Sequence, residues 1–115
     1  MEQRVYLQLA RAIEDDILSG KLREGDPAPS THQAAARFEV NPATAARGMS
    51  RLTEVGLLES RRGVGLFVAQ GARDAIWNER RRVFREVTLV ELVEEARKLG
   101  VSRQELIAMM MTAHN

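Results

Sequence analysis

Ser30 and Asn41-Pro42 are two helix-start signals in close succession, and they constrain the fold of this chain more than any other feature. Ser30 and Gln33 have the three-residue spacing of a capping box, in which each side chain satisfies a free backbone donor near the other. A helix begun there turns Ala34, Ala35 and Phe38 inward. It must stop almost at once, because Asn41 is a good N-cap and Pro42 suits a first helical turn, where its missing N–H costs nothing. The next helix runs to Gly56. A short helix, a turn of about four residues and a second helix predict a helix-turn-helix.

The flanking segments fit that unit. From Arg4 to Leu18, Val5, Leu9, Ala12, Ile13 and Ile17 recur at helical spacing, and Gly20 follows as a C-cap. Lys21 to Pro29 holds Gly25, Asp26, Pro27 and Pro29, so it reads as an extended connector. Beyond Gly56, Leu57 to Ser60 and Leu66 to Ala69 read as short strands around Arg61-Arg62-Gly63-Val64-Gly65, whose glycines permit a tight reversal. The expected fold is therefore mainly α with a small β wing. Residues 1–71 form a winged helix-turn-helix, and residues 72–115 a helical dimerisation segment that is also the place expected for any effector.

In that tail, Arg73 to Leu99 has helical propensity throughout, with a bend expected near Thr88. Gly100 stops it, and Ser102 with Glu105 forms a second capping box opening a final helix. Ile76, Val83, Val87 and Val90 make one apolar seam; Leu92, Val93 and Leu99 belong to a denser one, and Leu106, Ile107 and Met110 follow on the last helix. Two helices cannot bury all of these against each other. A second copy of the chain is the simplest cover, since symmetric dimers are the commonest oligomers. Met109 to Met111 suits the same packing, or an adaptable ligand surface.

Composition narrows the function. The chain has 115 residues and no cysteine, which rules out disulfide scaffolds, zinc ribbons and thiol catalysis. Only His32 and His114 carry imidazole, and they stand far apart, so no metal or cofactor is expected. There is no nucleophile with a nearby histidine, and Gly63-Val-Gly65 lacks the helix that a phosphate loop needs, so no enzyme is expected. No apolar run is long enough to span a membrane, and Met1-Glu2 opens an amphipathic pattern instead of a signal-peptide core, which predicts a cytoplasmic protein. The net charge of +1 gives no global pull towards nucleic acid. Any DNA-binding surface must come from local clustering, and residues 41–65 hold Arg47, Arg51, Arg61 and Arg62 against Glu54 and Glu59.

On the second helix of the motif, Ala45, Met49 and Leu52 form a core stripe, while Thr44, Arg47 and Arg51 fall on a stripe expected to face out. Arg47 is the leading base reader, because a guanidinium can grip guanine with two hydrogen bonds. Two solvated arginines on an exposed helix, or a winged helix serving only protein assembly, fit the same residues. Asn41 is better suited to capping than to contact. Ser30 can cap and also present free amides to a phosphate. Arg80-Arg81-Arg82 is expected to be a solvated face, being flanked by Glu79 and Glu86.

The ordered set Tyr6-Leu-Gln-Leu, Ile13, Ile17 to Gly20, Leu22, Gly25-Asp26, Pro29-Ser30, Val40-Asn-Pro-Ala-Thr44, Arg47, Leu52, Gly56-Leu-Leu58 and Arg62-Gly-Val-Gly-Leu-Phe-Val68 resembles the GntR-family winged helix-turn-helix. The Asn-Pro-x-Thr helix start with a short tail is similar to the YtrA-like subfamily. The resemblance implies a homodimeric DNA-binding regulator, in the first instance a repressor on an inverted-repeat operator, often of transporter genes and sometimes modulated by a small effector. It implies DNA contacts at Ser30, Thr44, Arg47, Arg62 and Gly63; Thr31, His32, Asn41, Ala43, Arg51 and Arg61 complete the candidate set. His32 stands where many members carry an arginine, and Pro42 where other subfamilies carry one. The second departure shifts base reading towards Arg47.

Overall fold

The computed structural model of the protein describes residues 2–113, with side chains from Arg4 onward; His114 lies outside the described residues. In chain order the elements are α1 (Glu2–Ser19), α2 (Thr31–Phe38), α3 (Pro42–Glu54), β1 (Leu58–Arg61), β2 (Gly65–Val68), α4 (Ala72–Val83), a π-helical turn (Phe84–Thr88), α5 (Leu89–Lys98) and α6 (Arg103–Thr112). Two compact units result, Met1–Trp77 and Asn78–Asn115. No helix among the described residues is long and apolar enough to cross a membrane.

The first unit is built on α1. Leu9, Ile13 and Ile17 bury one stripe of it completely against Ala34 and Ala35 of α2, Ala45, Met49 and Leu52 of α3, and Leu57, Leu58 and Val68 around the wing. Each such aliphatic side chain taken out of water contributes about 1.5–3 kcal/mol. Both expected start signals are present: Ser30 and Gln33 form a reciprocal capping box, and Asn41 Oδ1 accepts the Thr44 N–H at 2.8 Å with Pro42 in the first turn. Asp16 is buried beneath α2, where its carboxylate accepts from Arg37 Nη1 at 2.8 Å and ties α1 to the helix-turn-helix.

The wing is a two-stranded antiparallel sheet with Leu58 opposite Val68 and Arg61 opposite Gly65. Both strands differ from expectation by one residue. The Val64 N–H donates to the Arg61 carbonyl at 2.9 Å, and Gly63 adopts φ +75°. That is the positive φ which the third position of a type II turn requires. This turn closes on Arg61, and so Arg61 joins the strand instead of the loop. The connector runs along the outer side of β2: Gly25 N–H donates to Val68 O, Val68 N–H to Asp26 O and Ala28 N–H to Leu66 O, each within 2.9 Å. A sheet edge that would otherwise offer unpaired donors is thereby covered.

The tail departs from expectation at one position. Ile76 of α4, expected on the dimerising seam, is 3% exposed and sits with Ala72 in the core of the first unit. Its helix begins against that core, where Arg73 Nε donates to the Leu18 carbonyl at 3.0 Å and Glu24 accepts the Gly71 N–H at 2.8 Å. In the second unit, the Leu89 N–H donates to the Phe84 carbonyl, so a π-helical turn occupies the place where a bend was expected. The Ser102–Glu105 capping box opens α6. Ala96 is buried, but Val87, Val90, Leu92, Val93, Leu99, Ile107 and Met110 are exposed, with Val83 and Leu106 half-buried.

Candidate nucleic-acid interface

Successive residues of α3 turn by about 100°. Thr44, Gly48, Leu52, Ala45 and Met49 then share one continuous arc, and all five are buried. Thr44 is the correction here: it is 8% exposed, at the rim of the buried arc and not on the free face. The cause is the crossing of α1 over α3. At Gly48, one turn beyond Thr44, a Cβ would lie 2.7 Å from Leu9 Cδ2 and 3.0 Å from the Tyr6 carbonyl oxygen. A Cβ there would be crowded from both sides, so the glycine favours this close approach of the two helices, and that approach covers the adjacent edge of the helix.

The opposite arc of α3 is open and carries Ala43, Ala46, Arg47, Ser50, Arg51 and Glu54. Ser50 lies near its centre and Ala46 at its edge, and both escape a reading that follows arginines; the helical period, continued from Ala43, is the signal that finds them. Beside them is a shallow groove of about 350 Å³ lined by Thr31, Ala46, Ser50, Thr53 and Leu66 among others. The structure thus joins Thr31 at the start of α2 and Leu66 of the wing to the free face of α3.

The arginines differ in how they are held. The Arg47 guanidinium lies over the Tyr6 ring, 4.2 Å from its centroid. Arg61 is laid back along the wing, its guanidinium 4.0 Å from the Phe67 centroid and 3.4 Å from Glu59 Oε1. Arg51, Arg62 and His32 are exposed, and their side chains have no hydrogen-bond or ionic partner among the described residues. Ser30 Oγ and Asn41 Oδ1 accept backbone N–H groups, so both side chains cap. Exposed cations beside a free helix face, with a narrow wing tip at Gly63, can meet base edges and phosphates together.

Of the other arginine cluster, Arg81 and Arg82 are exposed as expected, whereas Arg80 is half-buried with its Nε shielded from solvent. Arg82 donates to both carboxylate oxygens of Glu79, at 2.9 and 2.7 Å, and reaches Glu86 at 3.7 Å. Hydrogen bonding to Arg82 holds the Glu79 carboxyl below its usual range, and the same bonds raise the guanidinium. Among the described residues, no three His, Cys, Asp or Glu side chains gather as a metal site.

Comparison with known proteins agrees with this geometry. Residues 5–68 match the family described as bacterial regulatory proteins, gntR family. The chain is 33% identical over 103 residues to the HTH-type transcriptional regulator YhcF of Bacillus subtilis, covering 90% of this chain and 84% of that one. It is 26% identical over 102 residues to the HTH-type transcriptional repressor YtrA of the same organism, covering 89% and 78%. Among solved structures, a GntR family transcriptional regulator from Listeria monocytogenes superposes with a TM-score of 0.79 at 25% identity, covering 96% of this chain and 95% of that one. The helix-turn-helix, the arginine-bearing free face of α3 and the glycine-turned wing are therefore those of a DNA-binding transcriptional regulator, and the chain belongs to the GntR family.

Proposed function

We propose that the protein is a homodimeric, sequence-specific repressor that binds an inverted-repeat operator in the cytoplasm. The observation that carries this reading is the asymmetry of α3, whose one arc is locked into the core while the other presents Arg47 and Arg51 to solvent. Arg47 reads a base edge, and Arg51 lies about one turn further along the helix. Arg62 and the Gly63 turn approach the backbone from the wing, while amides at the starts of α2 and α3 favour phosphate. Ser30, Thr31, His32, Asn41, Ala43 and Arg61 border this surface, with Arg61 and the two caps shaping it more than contacting bases.

Pairing falls to the tail. Its exposed aliphatic residues, and the apolar cavity of about 430 Å³ between α5 and α6, support a second copy as their cover. Two copies would place their recognition helices roughly one helical turn apart on DNA, near ~34 Å. Control of transporter genes follows the likeness to YtrA-like regulators. A small effector at the paired tails would act by shifting the separation of the two α3 helices.

Selection from random duplex DNA at fixed salt tests the reading. The expected result is a two-fold symmetric sequence, with Arg47→Ala losing about 1–3 kcal/mol and relaxing one base position per half-site. An asymmetric footprint, or normal operator binding by Arg47→Ala, overturns it.

A further inference from the structure

We propose that Tyr6 is a positioning residue for Arg47, so that base discrimination by α3 depends on an aromatic ring supplied by α1. The inference rests on the reading of Arg47 as the base reader. Its observation is the cation–ring contact itself, with the guanidinium carbon over the ring and 4.2 Å from its centroid. Within such a distance the negative face of the ring attracts the cation. A guanidinium resting with its flat face on a ring keeps its in-plane N–H donors free, and those are the donors that grip guanine. A free arginine loses much rotamer freedom on making that contact. Holding the side chain on a ring beforehand removes part of the loss and fixes the direction in which the fork points.

The surrounding packing makes the ring a fixed platform. Tyr6 is half-buried on the helix that Leu9, Ile13 and Ile17 anchor in the core. Gly48, the residue after Arg47, lets the Tyr6 carbonyl oxygen come within 3.0 Å of where a Cβ would lie, closer than most side chains accept. The close crossing therefore brings the ring to the base of Arg47. Arg51 has no such platform among the described residues, so the two arginines on the free arc are prepared differently.

The test uses the full chain and the selected operator, with variants at the base pair that Arg47→Ala relaxes. Tyr6→Phe keeps the ring and should discriminate within about twofold of the original protein. Tyr6→Leu should lose about two- to fivefold in discrimination at that base pair alone, with affinity for unrelated duplex unchanged. Pentafluorophenylalanine at position 6 preserves shape but reverses the ring's electrostatics; it should behave as Tyr6→Leu does, which keeps the question answerable if the leucine variant folds poorly. In an Arg47→Ala background neither change should lower discrimination further. Intact discrimination in both ring variants, while Arg47→Ala loses it, overturns the role of Tyr6. So does a loss that persists without Arg47, or a gain on removing the ring. Normal discrimination by Arg47→Ala itself would instead sink the reading of Arg47.

Discussion

Gly48 decides how near α1 lies to α3. Replacing it by alanine gains about 1 kcal/mol of helix propensity but forces a methyl towards Leu9 Cδ2 and the Tyr6 carbonyl oxygen. Leu9 is 2% exposed and has little room to turn aside, and the carbonyl is backbone. Overpacking of this kind costs about 1–3 kcal/mol, so the two effects oppose and the second should win. Gly48→Ala is expected to lower the urea midpoint, and a variant as stable as the original would show that Leu9 yields. Asp16 gives a second case. Its carboxylate is nearly buried and takes a charged hydrogen bond from Arg37, so Asp16→Ala should cost about 1.5–3 kcal/mol by the same measurement. Neither feature could be read from the sequence. Glycine inside a helical stretch shows only a weak propensity, and the partner 21 positions away is supplied by tertiary packing.

At the scale of elements, what was legible followed local chemistry. Ser30 with Gln33, Asn41 with Pro42, and Ser102 with Glu105 each set a helix start through bonds spanning three residues, and the structure contains all three. The shift of the wing strands by one residue has a different cause: pairing follows the turn that closes at Arg61 and Val64, which composition does not locate. The π-helical turn was likewise visible only as an irregularity, because inserting one residue moves an apolar seam without changing its content. Thr44 and Ile76 fell on the wrong side of their helices for a related reason. Periodicity gives the arcs of a helix but not how widely a crossing helix covers them. Two predictions belong here. Ser30→Ala removes a cap from an eight-residue helix and should destabilise the first unit by about 1 kcal/mol in thermal unfolding. Arg62→Ala, at the exposed wing tip, should weaken binding evenly across duplex sequences and lower the slope of log K against log salt by about one. A change confined to one base position would make Arg62 a base reader instead.

For the molecule as a whole, the tail poses the sharper physical question. Its unit has Ala96 as its buried aliphatic residue, while Val93 is 46% and Ile107 50% exposed beside the cavity between α5 and α6. On α6, Leu106, Ile107, Met109, Met110 and Met111 spread over about 200° of the helix, wider than a single stripe, with Gln104, Glu105 and Thr112 on the remaining side. A helix with so wide an apolar arc buries it fully only when covered on more than one side, and α5 supplies one. Charging that surface should therefore act on assembly before it acts on the helix-turn-helix. With Val93→Glu and Ile107→Glu together, the protein should sediment as a monomer, and its unfolding midpoint should no longer depend on concentration. The first unit, whose core contains neither residue, should keep its near-native spectrum. Operator binding should nonetheless fall by about 10²–10⁴-fold, because joining two half-site readers makes the second contact intramolecular. Affinity for a single half-site should change little. If the double variant keeps both its mass and its operator affinity, pairing lies elsewhere on the chain; if it becomes monomeric yet binds as before, each copy recognises DNA alone and the two-fold operator must be given up.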